Sequence, residues 1–127
     1  MANLVKLSGN FLIASMLESL GEAFALVRKS HIDPRRYLEI LTETLFPAPV
    51  YKTYGSIIVE EKYEPPGFKM SLGLKDIRLA LAAADARLVP MPLASLLRDH
   101  FLAGVAQGQG DSDWSGLARL CARNAGL

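Results

Sequence analysis

Residues 3 to 29 constrain the fold of this 127-residue chain more than any other stretch. In "NLVKLSGNFLIASMLESLGEAFALVRK" apolar side chains recur at three- and four-residue steps, among them Leu4, Leu7, Phe11, Ala14, Leu17 and Ala25. That is the period of a helix, not the alternation of a strand. A helix of about 25 residues spans about 38 Å at the α-helical rise. Such a length predicts a central spine, or one that crosses between domains. Gly9 and Gly21 interrupt it at roughly 1 kcal/mol each against alanine. Each is therefore expected where another backbone comes close.

The remaining chain is punctuated into further helices. In "SHIDPRR", Asp33 suits an N-cap and Pro34 the first helical turn. A second helix is predicted from there to about Leu45, with Tyr37, Leu38, Ile40 and Leu41 as its apolar stripe. "FPAPV" breaks it. Residues from about Val50 to Glu60 read as a third helix, although "SIIVEE" would pass for a strand. "KYEPPGF" is an irregular loop. "KMSLGLKDIRLALAAADARLV" is the next clear helix, with Leu72, Ile77, Leu81 and Ala84 expected toward the core. "PMP" ends it, and a fifth helix runs from about Leu93 to Ala106. "QGQGDSD" is a turn, and Asp111 or Asp113 caps the closing helical segment. The prediction is an all-α bundle of about six helices around a long N-terminal spine, in one domain over residues 1–127.

Bulk properties exclude several function classes. Fourteen basic against 13 acidic residues give a net charge of +1, with no electrostatic footprint for nucleic acid or an anionic membrane. No run approaches the ~18 consecutive apolar residues of a membrane span. No secretion signal is read at the start, and Cys121 is the one cysteine, so a reducing, cytoplasmic setting is expected. Neither a G-x-G-x-x-G nor a P-loop pattern occurs, so the chain holds no phosphate-cradling loop of its own. His31 and His100 stand apart without a second local ligand, and no metal is expected.

Three clusters carry possible chemistry. Lys6 and Asn10 are four apart and share a helix face. In a partly dry cleft, a lysine beside an amide suits acid–base work on a hydroxyl–carbonyl pair. On a solvated face, the same two residues are simply the wet side of a helix. In "GFKMSLGLKDIRLA", Lys75 and Asp76 lie within an apolar helix, either as snorkelling surface residues or as a charged pair at a cleft. "GQGDSDWSGL" looks at first like a calcium loop, yet the twelve-residue ligand pattern is missing. A turn with a helix cap is the simpler account.

The three clusters in this order, "NLVKLSGNF", then "F" with "LKDIRLALAAAD", then "GQGDSDWSGLAR", resemble the C-terminal helical domain of the β-hydroxyacid dehydrogenases. That family includes 3-hydroxyisobutyrate dehydrogenase and, more distantly, 6-phosphogluconate dehydrogenase. The resemblance covers almost the whole chain. It implies that Lys6 is the catalytic acid–base lysine and Asn10 the substrate-orienting amide. It also implies that Phe68 lines the substrate pocket, that Lys75 lies near the cofactor and that Asp76 helps hold the substrate site together. The G-x-G-D-x-D segment would be the turn into the last helix.

The resemblance further implies NAD or NADP, bound mainly by an N-terminal Rossmann domain that this chain lacks. The spine would then be interdomain, and a homodimer is expected. The reaction would be hydride transfer between nicotinamide and a small hydroxy acid or semialdehyde, with the chain inactive alone. Two other readings stay open: a free-standing helical association module, and an imine reductase-like domain, against which Lys6 argues.

Overall fold

A computed structural model describes residues 2–127. Six α-helices follow one another: α1 (Ala2–Lys29), α2 (Pro34–Glu43), α3 (Pro49–Glu60), α4 (Met70–Ala86), α5 (Pro92–Ala106) and α6 (Leu117–Asn124). A short 3-10 turn, Trp114–Gly116, leads into α6. The described residues form no strand beyond one isolated bridge between Lys69 and Asp113. "SIIVE" is therefore helical, and Glu61 caps its end in a left-handed conformation. The Asp33 carboxylate accepts the Arg35 N–H at 2.9 Å and caps α2, and prolines open α2, α3 and α5.

α1 is the axis of the bundle and packs against all five other helices. By length and composition alone it would also pass for a membrane span. In this fold its inward side is the core of the domain instead. That side carries Phe24, Leu20, Leu17, Ile13, Asn10 and Lys6, spaced alternately four and three residues apart. Such spacing keeps side chains on one stripe of a helix. Phe24, Leu20 and Leu17 are fully buried, and Ile13 packs against the edge of the core. Burying each such side chain contributes about 1.5–3 kcal/mol. α2 and α3 cover this part: Phe24 meets Tyr37 edge-on at 5.3 Å. Farther along, the same stripe turns polar and runs into the open, where Asn10 is half-buried and Lys6 exposed.

The two glycines of α1 differ. A Cβ on Gly21 would lie 2.8 Å from the Cα of Ala118, so α1 and α6 touch backbone to backbone there. Gly9 has nothing within 4 Å of such a Cβ, contrary to the close approach expected for it. Three apolar assignments also need correction: Leu4, Ile40 and Leu72 are exposed. The buried stripe of α4 is Met70, Gly73, Leu74, Ile77, Ala80 and Ala84, and Leu72 falls beside it. α2 lies on the outside of the bundle and buries no residue completely, so Ile40 faces out while Tyr37, Leu38 and Leu41 pack against the core. Leu4 sits at the uncovered end of α1. Leu81 and Ala84 do face the core, as does Ile77.

Candidate functional site

The polar end of the α1 stripe meets α4. Asn10 Nδ2 donates to Asp76 Oδ2 at 2.8 Å, across 66 residues of sequence. A hydrogen bond to an ionised acceptor in a half-buried position contributes about 1.5–3 kcal/mol and fixes the amide plane. It uses one amide hydrogen of Asn10 and leaves the amide oxygen and the second N–H free. Lys6 lies one helical turn nearer the N-terminus on the same stripe. It is exposed, as is Lys75, the neighbour of Asp76 on α4. Among the described residues neither ammonium takes part in a salt bridge. The arrangement is an open edge with two unneutralised cations beside a carboxamide whose orientation is fixed from a different helix.

Phe68 is placed by a separate device. Asp113 Oδ1 accepts the N–H groups of Gly67 at 2.9 Å and Phe68 at 3.1 Å. Its Oδ2 accepts the Ser115 N–H at 3.0 Å and the Ser115 hydroxyl. The Trp114 N–H donates to the Phe68 carbonyl at 2.8 Å, and the two rings meet edge-on at 4.5 Å. One buried carboxylate thus clasps the loop before α4 to the turn before α6. This is the turn-and-cap role expected of the "GDSDW" segment. Asp111 stays at the surface, 3.3 Å from Lys69. Phe68 is half-buried two residues before α4, and Asp76 lies about 9 Å along that helix from its first residue, Met70, at 1.5 Å per residue. The structure therefore joins Asn10 directly to Asp76 and seats Phe68 on Trp114.

One buried cluster was not anticipated from the sequence. Glu18, only 3 % exposed, sits between α5 and α6. Its Oε1 lies 2.6 Å from His100 Nδ1, and its Oε2 accepts from Cys121 Sγ at 3.4 Å. Burial first, and then the Glu18 charge, push the Cys121 thiol well above its ordinary range. A hydrogen bond from Glu18 is also the main cause that raises Glu22. Both the thiol and the imidazole turn to the carboxylate, so the imidazole is not placed to activate the sulfur. No group of three or more His, Cys, Asp or Glu among the described residues is arranged to hold a metal. The available signal was Glu18 itself, an acid between Leu17 and Leu20 on an apolar helix.

Comparison with known proteins follows the same outline. A family model described as "NAD-binding of NADP-dependent 3-hydroxyisobutyrate dehydrogenase" matches residues 1–121. The oxidoreductase YfjR of Bacillus subtilis is 50 % identical over 118 residues, which is 93 % of this chain and 41 % of that protein. Glyoxylate/succinic semialdehyde reductase 1 of Arabidopsis thaliana is 33 % identical over 111 residues, 87 % of this chain and 38 % of that protein. A crystal structure of 3-hydroxyisobutyrate dehydrogenase from Salmonella typhimurium superposes with a TM-score of 0.83 at 23 % identity. That superposition covers 91 % of this chain and 40 % of the other, and it shows the shared fold. The chain spans about two fifths of the length of these relatives.

Proposed function

Because the chain belongs to the NAD-binding 3-hydroxyisobutyrate dehydrogenase family of β-hydroxyacid dehydrogenases, we propose that residues 1–127 are its C-terminal helical domain, working with an N-terminal dinucleotide-binding domain. The reaction is hydride transfer to or from a small hydroxy acid or semialdehyde. The observation that carries this reading is the α1 stripe: a buried apolar seam that ends in Asn10, pinned by Asp76, with Lys6 one turn beyond. Core positions turned into a cation and an amide at an open edge fit a half-site better than a random wet face.

The fit of a dinucleotide to this chain is partial. No glycine-rich turn is present to cradle a pyrophosphate. The exposed ammonium of Lys75 suits an anionic part of such a cofactor, and it stands next to the Asp76–Asn10 pair. When bound, the nicotinamide supplies or accepts the hydride. Lys6 then gives a proton to the substrate oxygen, or takes it back, at Nζ. Asn10 offers its remaining N–H and its carbonyl oxygen to the same hydroxyl. Asp76 acts through Asn10 as a positioning residue. Phe68 presents an apolar ring toward the body of the substrate. Glyoxylate and succinic semialdehyde, the substrates in the name of the Arabidopsis relative, exemplify the class. A homodimer and a reducing, cytoplasmic setting complete the proposal; Cys121 is free and buried, as such a setting allows.

The test grafts residues 1–121 in place of the matching segment of the B. subtilis relative, at 50 % identity a compatible host. The chimera is expected to oxidise NADPH or NADH in the presence of glyoxylate or succinic semialdehyde, and the 127-residue chain alone is not. Lys6→Met should lower kcat by about 10²–10⁴ with little change in KM and an unchanged melting temperature. Asp76→Asn should lower kcat less, through the loosened amide. A Lys6→Met chimera that turns over at the parent rate overturns the assignment.

A further inference from the structure

A second concave site lies toward the opposite end of α1, along Gly21 to Arg28, roughly 22–33 Å from Lys6 along the helix axis. It is a cavity of about 340 Å³ between the ends of α1, α3 and α6, lined among others by Arg28, Arg119, Arg123, Tyr63, Glu61 and Phe24. That volume falls within the range of small-molecule sites, roughly 300–1,000 Å³. Its wall carries three guanidinium groups and one carboxylate side chain.

The guanidiniums are incompletely neutralised. Arg28 has Glu61 at 3.1 Å. Arg119 has only Glu64, at a long 3.8 Å, and that same Oε1 already accepts from the Ser112 hydroxyl at 2.5 Å. Arg123 donates only to neutral acceptors, the side-chain amide oxygens of Gln107 at 2.9 Å and, in the amide orientation that satisfies both groups, of Gln109 at 2.7 and 3.1 Å. Arg119 is instead stacked over the Tyr63 ring, 4.5 Å from its centroid, which holds its donor fork in one plane.

Tyr63 supplies an independent sign. The residue is only 3 % exposed, yet its hydroxyl makes no hydrogen bond among the described residues. No fully enclosed polar side-chain atom is left unsatisfied, so this hydroxyl keeps some accessible surface, and Tyr63 is part of the cavity wall. Burial also pushes its pKa up to about 12, so the group stays a neutral donor. An unpartnered O–H on a residue that lines a space flanked by guanidiniums is a donor waiting for an acceptor. Phe24, Ala25, Ile58 and Ala118 give the floor an apolar character.

We propose that this cavity binds a small organic anion: an oxyanion group, carboxylate or phosphate, held by Arg119, Arg123 and the Tyr63 hydroxyl, on an apolar body that rests against Phe24 and Ile58. The proposal does not rest on the catalytic role of Lys6. The cavity lies too far from Lys6 to share a substrate with it, so its occupant is a bound ligand and not a reactant.

The test is NMR titration of the 127-residue chain with four probes: phenyl phosphate, benzoate, inorganic phosphate and benzyl alcohol. Phenyl phosphate or benzoate is expected to saturate below about 10 mM, with shifts at Tyr63 and on α6, and benzyl alcohol to bind at least about tenfold more weakly. The better of the two reports whether phosphate or carboxylate is preferred, and inorganic phosphate reports the share of the apolar body. Arg123→Ala and Arg119→Met should each weaken binding by about tenfold. Tyr63→Phe should weaken it severalfold while leaving the melting temperature unchanged, because no protein group is bonded to that hydroxyl. It serves where Arg119→Met fails to fold. Saturation by neither anion, equal binding of benzyl alcohol, or binding untouched by both Arg123→Ala and Tyr63→Phe overturns the proposal.

Discussion

The inward stripe of α1 has two ends built on one geometry. At one end Leu17, Leu20 and Phe24 vanish beneath α2 and α3. At the other, Asn10 is bonded to a carboxylate on α4 and Lys6 stands in the open. The helical register is unbroken between them, so the backbone does not distinguish the two. What differs is cover. α2 and α3 lie over the second half of the stripe, and among the described residues Lys6 stands exposed. Off the stripe, apolar side chains are exposed at both ends: Val5 by 65 %, Leu12 by 66 % and Leu26 by 69 %. A helix can therefore be buried core at one end and open surface at the other, with the change made by what packs over it.

The largest expected contrast is in stability. Phe24→Ala removes a ring from a filled core and should cost about 3–5 kcal/mol in urea unfolding. Leu12→Ala, at a position 66 % exposed, should stay within about 0.5 kcal/mol. Equal costs at the two positions would show that the open end is covered in solution.

The glycines sharpen the same comparison with opposite signs. Gly21→Ala forces α1 and α6 apart and should destabilise by about 1–3 kcal/mol. Gly9→Ala adds a methyl to open space and should stabilise by about 0.5–1 kcal/mol. Both are read from unfolding midpoints.

The smallest effect is set by pH at the buried end. Burial raises the Cys121 thiol above its usual value of 9.0 and Tyr63 from 10.0 to about 12. The folded protein holds these protons more tightly than the unfolded chain does. Stability is therefore complete below about pH 9 and declines as pH rises toward 12. The unfolding midpoint should fall between pH 8.5 and pH 11, by about the first steps of that linkage. In the same range Cys121 should resist a disulfide reagent until the protein unfolds, whereas fast labelling of the native chain would place the thiol at the surface.

Much of the candidate site was legible in the sequence. Lys6 and Asn10 stood out by their spacing, and Asp113 by its place before an aromatic and a helical run. The partner of Asn10 was reachable only through family resemblance, because 66 residues separate it from Asp76. The Glu18, His100 and Cys121 cluster escaped because its members come from three helices, and each looks ordinary on its own. Leu4, Ile40 and Leu72 were misplaced because an apolar residue on a helix reads the same whether or not a neighbour covers it.

The sequence by itself determined the six helices, their breaks and the polar end of the α1 stripe. Those features rest on bonds and caps between residues at most four apart, and on side-chain periodicity, which are local. Tertiary structure decided which part of the stripe is buried, that Asp76 fixes Asn10, and that three arginines line one cavity with Tyr63. Those depend on how helices far apart in the chain pack to remove apolar surface from water, and on where that packing stops.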